Sequence, residues 1–349
     1  MEPLAILLIL AVVVLVGIAI YYANRNMFEG IDYRGSYPRT PQSNLRRPIH
    51  TILLHQTTPE VQKEIREKTR LAVVRDVPIP SSFDSRQQWP GLITNPLDQG
   101  SCGSCWAFSS ATAVSDRLRI ANPGNSDLRQ TITYTPYDIG VSYQSMNNLS
   151  PYAVVNCDIC TANSATRPMT TQFLINSGEC NNACRGGIIA NVYQYMKDYG
   201  VITLQCSPPS CNPATTRCPC AQTTSCTVYK PSDIYAVVGP NDDQPTRIQK
   251  IQQEILTNGP VTVGYTVYNS FFTFFENTPT GIYSSAAQPA GDTIDGGHAV
   301  DIVGWGTDAT VGLYWIVRNS WGTSWGDQGY FKYQATLDDM TSECYAASA

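Results

Sequence analysis

Histidine is the scarcest chemistry-bearing residue in this chain, with three in 349 residues. Two of them, His50 and His55, fall in an N-terminal stretch without periodicity. His298 is therefore the only imidazole in the part expected to fold. Charge is also sparse, 15% of residues with a net −5, so no basic field is available to hold nucleic acid. No internal repeat is visible. Cysteine, by contrast, is plentiful: twelve, all from Cys102 to Cys344. With one histidine among them, a zinc site is not expected, and no other metal or cofactor is called for. A disulfide framework in an oxidising compartment fits better. At 42% hydrophobic, the chain can bury a substantial core in one large or two moderate domains.

Leu4 to Tyr22 is nineteen residues without a charge, long enough to span a bilayer, with Tyr21 and Tyr22 suited to the interface. It lacks a basic n-region and a convincing cleavage site, so residues 1–23 read as a single-pass transmembrane anchor rather than a removed signal. Arg25, Arg34, Arg39, Arg46 and Arg47 follow it and by the positive-inside rule would hold that side cytosolic. The cysteines argue for an oxidising side: lumenal, extracellular or virion. This reading sides with the cysteines and leaves the orientation open.

Residues 24–77 read as a tether or propeptide. Within them Pro59 to Val74, with dense alternating charge, predicts a solvated helix. Pro78-Ile79-Pro80 breaks structure, and the main domain is expected over 78–349. Phe108, Ala111, Val114 and Leu118 recur at helical spacing after Cys105, Ala190 to Tyr199 predicts a second helix, and Ile248 to Leu256 a third ended by Asn258-Gly259-Pro260. Cys206 to Cys226 is a proline-punctuated loop. Val261–Val267, His298–Trp305, Leu313–Val317 and Gly329–Tyr333 read as strands. Helices first and strands last give an α+β class with a cleft between two halves.

The stretch Gln99-Gly100-Ser101-Cys102-Gly103-Ser104-Cys105-Trp106-Ala107-Phe108 places a thiol at the start of an apolar helix. There the unpaired N–H groups and the dipole favour thiolate. Cys105 reads equally as a nucleophile or as one half of a disulfide. If it needs an imidazole base, His298, in Gly296-Gly297-His298-Ala299-Val300, is the sole candidate. Asn319-Ser320-Trp321-Gly322 follows, and an Asn amide oxygen can hold one imidazole nitrogen while the other faces a thiol.

These three blocks, in this order, resemble the papain-like cysteine proteases, and the resemblance covers roughly Pro78 to Cys344. Ser81 to Pro90 and the loop after Gly200 are similar to the cathepsin B branch. The 193 residues separating Cys105 from His298 exceed the roughly 130–150 of simpler members. The resemblance implies a two-lobed fold, a helical lobe carrying the cysteine and an antiparallel barrel-like β lobe carrying the histidine and asparagine. It implies hydrolysis of polypeptide substrates by a monomer. Cys105 would attack as thiolate, His298 pair with it as imidazolium, Asn319 orient His298, and Gln99 stabilise the oxyanion. Gly186, Gly187, Gly297 and Trp321 would bind substrate.

Cys102 would bridge Cys184, as in the family. The cathepsin B branch further suggests Cys160–Cys180, Cys157–Cys220, Cys206–Cys226 and Cys211–Cys218, leaving Cys105 and Cys344 unpaired. The loop Cys211 to Cys218 lacks the histidine pair that captures a substrate C-terminus in that branch, which favours endopeptidase over exopeptidase activity. The segment Ser342 to Ala349 is read as leaving the P2 floor without an acidic residue, so apolar P2 residues are expected. The alternative functional reading is a catalytically silent, membrane-held binding module on the same scaffold.

Overall fold

A computed structural model describes residues 71–72, 77–99, 103–124, 187–200, 229–337 and 340–349, all within one compact unit. The candidate anchor, most of the tether, the Cys206–Cys226 loop and ten of the twelve cysteines lie outside the described residues. Among the described residues no helix is long and apolar enough to cross a membrane.

Helix α1 is a single turn, Ser85–Gln88. Helix α2 runs from Cys105 to Ala121 and is buried on every side from Cys105 to Arg119. A helix buried all round must satisfy its own polar groups. Ser109, Ser110 and Ser115 do so by donating to the carbonyl four residues back, at 2.6–2.8 Å. Asn122 closes it, its N–H and Nδ2 both donating to the Leu118 carbonyl. Helix α3, Ile189–Tyr199, packs on α2 and buries Ile189, Val192, Tyr193 and Met196. Helix α4, Gln244–Asn258, starts at an Asp243 cap whose carboxylate accepts from the Thr246 N–H at 2.9 Å. It stops at Gly259, where φ is +100° and a Cβ would come within 2.5 Å of Ile120 on α2. Only glycine meets both demands.

The strands are β1 (Phe83–Asp84), β2 (Asp233–Ala236), β3 (Val261–Tyr268), β4 (Ile282–Tyr283), β5 (Ile294–Asp308), β6 (Gly312–Arg318), β7 (Tyr330–Gln334) and β8 (Glu343–Ser348). Helix α5, Asn269–Asn277, follows β3. They make one eight-stranded sheet in the order β2-β8-β3-β5-β6-β7-β4, with β1 against β5. Asp84 of β1 lies opposite Gly304, where a Cβ would meet the Phe83 carbonyl at 2.2 Å. The domain's first strand can approach only because position 304 has no side chain. One face of the sheet carries an aromatic core in which Phe271 of α5 meets Tyr265, Tyr283, Trp321 and Phe331.

The α+β class holds. The two-lobed papain-like expectation holds with it, and among the described residues the strands pair antiparallel throughout except β4, which pairs parallel to β7. The expected helix over Pro59 to Val74 fails at its described end, where Ala72 donates to the Ala236 carbonyl at 2.9 Å and Leu71 bridges Ala236 in parallel. The free backbone edge of β2 competes successfully with helix formation there. Strands β2 and β8 and helix α5 were not expected from the sequence.

Candidate active site

The first turn of α2 presents Cys105. Its sulfur receives the N–H groups of Ala299, Trp106 and its own backbone, all of which favour thiolate. Ala299 follows His298 on β5, so the thiol touches the chain beside the only imidazole of the domain. His298 Nε2 bonds Asn319 Oδ1 at 2.8 Å. Because the Asn oxygen only accepts, Nε2 carries the proton and Nδ1 is the basic nitrogen. Nδ1 has no hydrogen-bond partner among the described residues. Trp321 stacks on the imidazole, centroids 4.9 Å apart at 20°, and Phe272 of α5 stacks on the far side of the indole at 5.6 Å. Asn319 Nδ2 and Trp321 Nε1 are likewise buried without partners. Buried polar atoms rarely go unpaired, and such a concentration marks a site built for something other than stability.

Gln99 is brought in from before the helix. Its N–H bonds the Ser320 carbonyl at 2.9 Å, and the Gly322 N–H bonds the Leu97 carbonyl at 3.0 Å. The approach to α2 is thereby laid along the Asn319 loop. Ser320 Oγ donates to Gln99 Oε1, which fixes the orientation of the amide.

Cys105 and His298 are both fully buried. Burial pushes the thiol up to about 11, against the three N–H donors. Burial likewise pulls the imidazole down to about 4, against the Asn319 bond that favours its charged form. In this closed arrangement each group is neutral alone. Charge can arise by moving one proton from sulfur to Nδ1, which leaves the pair's net charge unchanged.

The profile of the papain family cysteine proteases matches residues 79–132 and 142–348. The chain belongs to that family. It is accordingly a cysteine peptidase, a hydrolase whose substrates are polypeptides. Cathepsin B-like CP3 of Giardia intestinalis is 33% identical, over 76% of this chain and 71% of the relative. Cathepsin B-like cysteine proteinase 5 of Caenorhabditis elegans is 32% identical, over 76% and 72%. Among solved structures, procathepsin B S9 from Trypanosoma congolense superposes with a TM-score of 0.56 at 23% identity, covering 82% of this chain and 88% of that one. The fold is shared.

Of the residues singled out in the sequence, the structure brings together Cys105, His298, Asn319, Gln99 and Trp321. Gly297 lies on β5 opposite Thr266, and Gly187 is buried two residues before α3. Cys102, Cys184 and Gly186 lie outside the described residues, as do the proposed disulfides. Cys105 and Cys344 are free thiols. The reading of the C-terminal segment is corrected. Glu343, half-buried on β8, stands opposite Gly264, which stands opposite Ala299. An acidic residue therefore occupies the same cross-strand row as the thiol's neighbour, with no side chain between, and the apolar P2 preference loses its basis. Sequence reasoning also missed Ser320, the Phe272 stack and the buried charges behind the site, none of which forms a local pattern.

Proposed function

We propose that this chain is a cathepsin B-like cysteine endopeptidase in which Cys105 attacks the peptide carbonyl and His298 is its base. Asn319 holds His298 in its productive tautomer, and Gln99 together with the Cys105 N–H takes the oxyanion. The observation that carries this reading is that the Cys105 sulfur is hydrogen-bonded by the backbone of Ala299, the residue after His298, whose Nε2 bonds Asn319 under the Trp321 ring. In the reaction the proton passes from Sγ to Nδ1, sulfur bonds the carbonyl carbon, and the imidazolium returns the proton to the leaving amine. Water then hydrolyses the thioester, with His298 again as base. Gln99→Ala is expected to lower kcat about 10²–10³-fold, as loss of one oxyanion donor does. Steady-state kinetics on a fluorogenic peptide read it, and a change confined to KM would argue against the role.

The complete burial of Cys105 supports a closed precursor, as does the docking of Ala72 on the β2 edge. Residues 1–23 serve as anchor, 24–77 as tether and prosegment, and 78–349 as the peptidase domain, on the oxidising side of a membrane. The same burial is the one observation that favours a silent module instead. The two readings part on thiol reactivity. Full-length protein is expected to alkylate slowly at neutral pH, gaining rate only toward pH 11, where its thiol ionises. Protein cut between Arg75 and Pro80 should label rapidly at pH 6–7, on the order of 10²-fold faster, once the pair is uncovered. Equal, slow labelling of both forms would favour the silent module.

A further inference from the structure

Behind the catalytic side chains lies a buried ionic cluster. Arg318, the last residue of β6, immediately precedes Asn319 and is 2% exposed. Its Nη1 donates to Asp116 Oδ2 and to the Thr94 carbonyl, both at 2.7 Å. Its Nη2 and Nε donate to Asp301 Oδ2 at 2.7 and 3.2 Å. Asp116 sits on α2, three turns beyond Cys105. Asp301 sits on β5, three residues beyond His298 and directly opposite Arg318 in register. One guanidinium is thus bonded to both segments that carry Cys105 and His298, and is itself the neighbour of Asn319.

Shorter ties brace the same joint. Thr112 of α2 donates to Asp301 Oδ2 at 2.7 Å, and Thr262 of β3 to Asp301 Oδ1 at 2.9 Å. Tyr193 of α3 donates to Thr262 at 3.0 Å. Arg119 donates to Asp116 Oδ1 at 3.1 Å, so two arginines balance two aspartates. Burial works against the charge on Arg318, but Asp116 and Asp301 outweigh it and hold the guanidinium protonated.

We propose that Arg318, clamped between Asp116 and Asp301, is a positioning residue that sets the Cys105–His298–Asn319 geometry by locking α2 to β5 and β6. A buried ion pair seldom adds net stability over an apolar replacement of the same volume. Fixed geometry at a reacting centre, however, is worth a great deal: a displacement of ~1 Å can reduce the rate about 10²-fold. The planar fork of arginine is what permits simultaneous bonding to two carboxylates on different elements. A lysine keeps the charge and loses the fork. The proposal rests on the catalytic reading given above.

The test uses processed wild-type enzyme, Arg318→Lys and Thr112→Val, each checked for native circular dichroism. Arg318→Lys is expected to lower kcat about 10–100-fold with KM within about threefold of wild type, and the rate of Cys105 alkylation at neutral pH should fall in parallel. Thr112→Val removes one tie without stranding a charge and should lower kcat about threefold or more. If Arg318→Lys does not fold, Thr112→Val decides the matter, and an unchanged kcat in it overturns the proposal. Folded Arg318→Lys with a lowered melting temperature but unchanged kcat and alkylation also overturns it. Should Cys105→Ala retain activity, the catalytic reading itself fails. Should Cys105→Ala be inert while Arg318→Lys is fully active, only the clamp fails.

Discussion

Cys105→Ala is expected to lower kcat/KM for peptide hydrolysis by at least about 10⁴-fold while leaving the fold intact. The alanine removes one sulfur from the start of a helix whose stability comes from burial and from its own serine back-bonds, none of which involves that sulfur. His298→Ala should be comparably inert, since no other imidazole exists in the domain to take the proton. The double variant should be no worse than either single one, because the pair acts as a unit. A fluorogenic dipeptide assay with a matched circular dichroism spectrum reads all three. Residual activity of a tenth of wild type in Cys105→Ala would place the nucleophile elsewhere.

The largest effect on stability is expected at Glu254. Arg117 leaves α2 and is 3% exposed, and its Nη2 donates to Glu254 of α4, itself 4% exposed. The same guanidinium donates to the carbonyls of Ala347, Gly259 and Pro260, tying α2 to β8 and to the turn before β3. Tyr235 and Asn258 add donors to Glu254 Oε1 at 2.7 and 3.0 Å. Glu254→Ala would strand a buried guanidinium and cost about 3–5 kcal/mol. For a domain of this size that corresponds to roughly 6–20 °C in melting temperature, read by calorimetry on the processed domain.

The pH dependence of that effect has a definite sign. Burial would raise the Glu254 carboxyl, but the Arg117 charge and its hydrogen bonds outweigh burial and hold the pKa below its ordinary 4.5. A depressed carboxylate pKa stabilises above the unfolded value and loses that contribution as pH falls through the folded one. The gap between wild type and Glu254→Gln should therefore be full at neutral pH and shrink as the pH drops below 4.5. A melting temperature unchanged at neutral pH would show that the pair is relaxed by water. By contrast, Arg86–Asp84, where the arginine is 39% exposed, should matter by no more than about 1 kcal/mol.

Helix α2 was legible because its apolar spacing is helical and its first residue carries the thiol. Strands β3, β5, β6 and β7 were legible from β-branched runs between glycines, although β5 extends four residues before His298 and three beyond Trp305. Strand β8 was not, because Glu-Cys-Tyr-Ala-Ala-Ser lacks strand formers and gains its partners only from β3 and β2. Helix α5 was missed for the opposite reason: its phenylalanines suit a strand, and packing against Trp325 and Phe331 makes it helical. The reacting groups were readable because each sits in a local motif. Their support was not, since Asp116, Asp301 and Arg318 are scattered over two hundred residues and meet only in the folded chain. Glu343 was overlooked for the same reason: its neighbour Gly264 lies far off in sequence.

The most direct test of the central claim is the site at which a mechanism-based thiol electrophile attaches. Processed protein treated with an epoxide probe at pH 6 should carry one equivalent, mapped by peptide mass spectrometry to Cys105, and the adduct should be absent from Cys105→Ala and strongly reduced in His298→Ala. Of the two free thiols among the described residues, Cys344 is buried and pushed well above the ordinary thiol range, so it should stay unmodified. An adduct on Cys344, or active protein with no adduct on Cys105, would contradict the account.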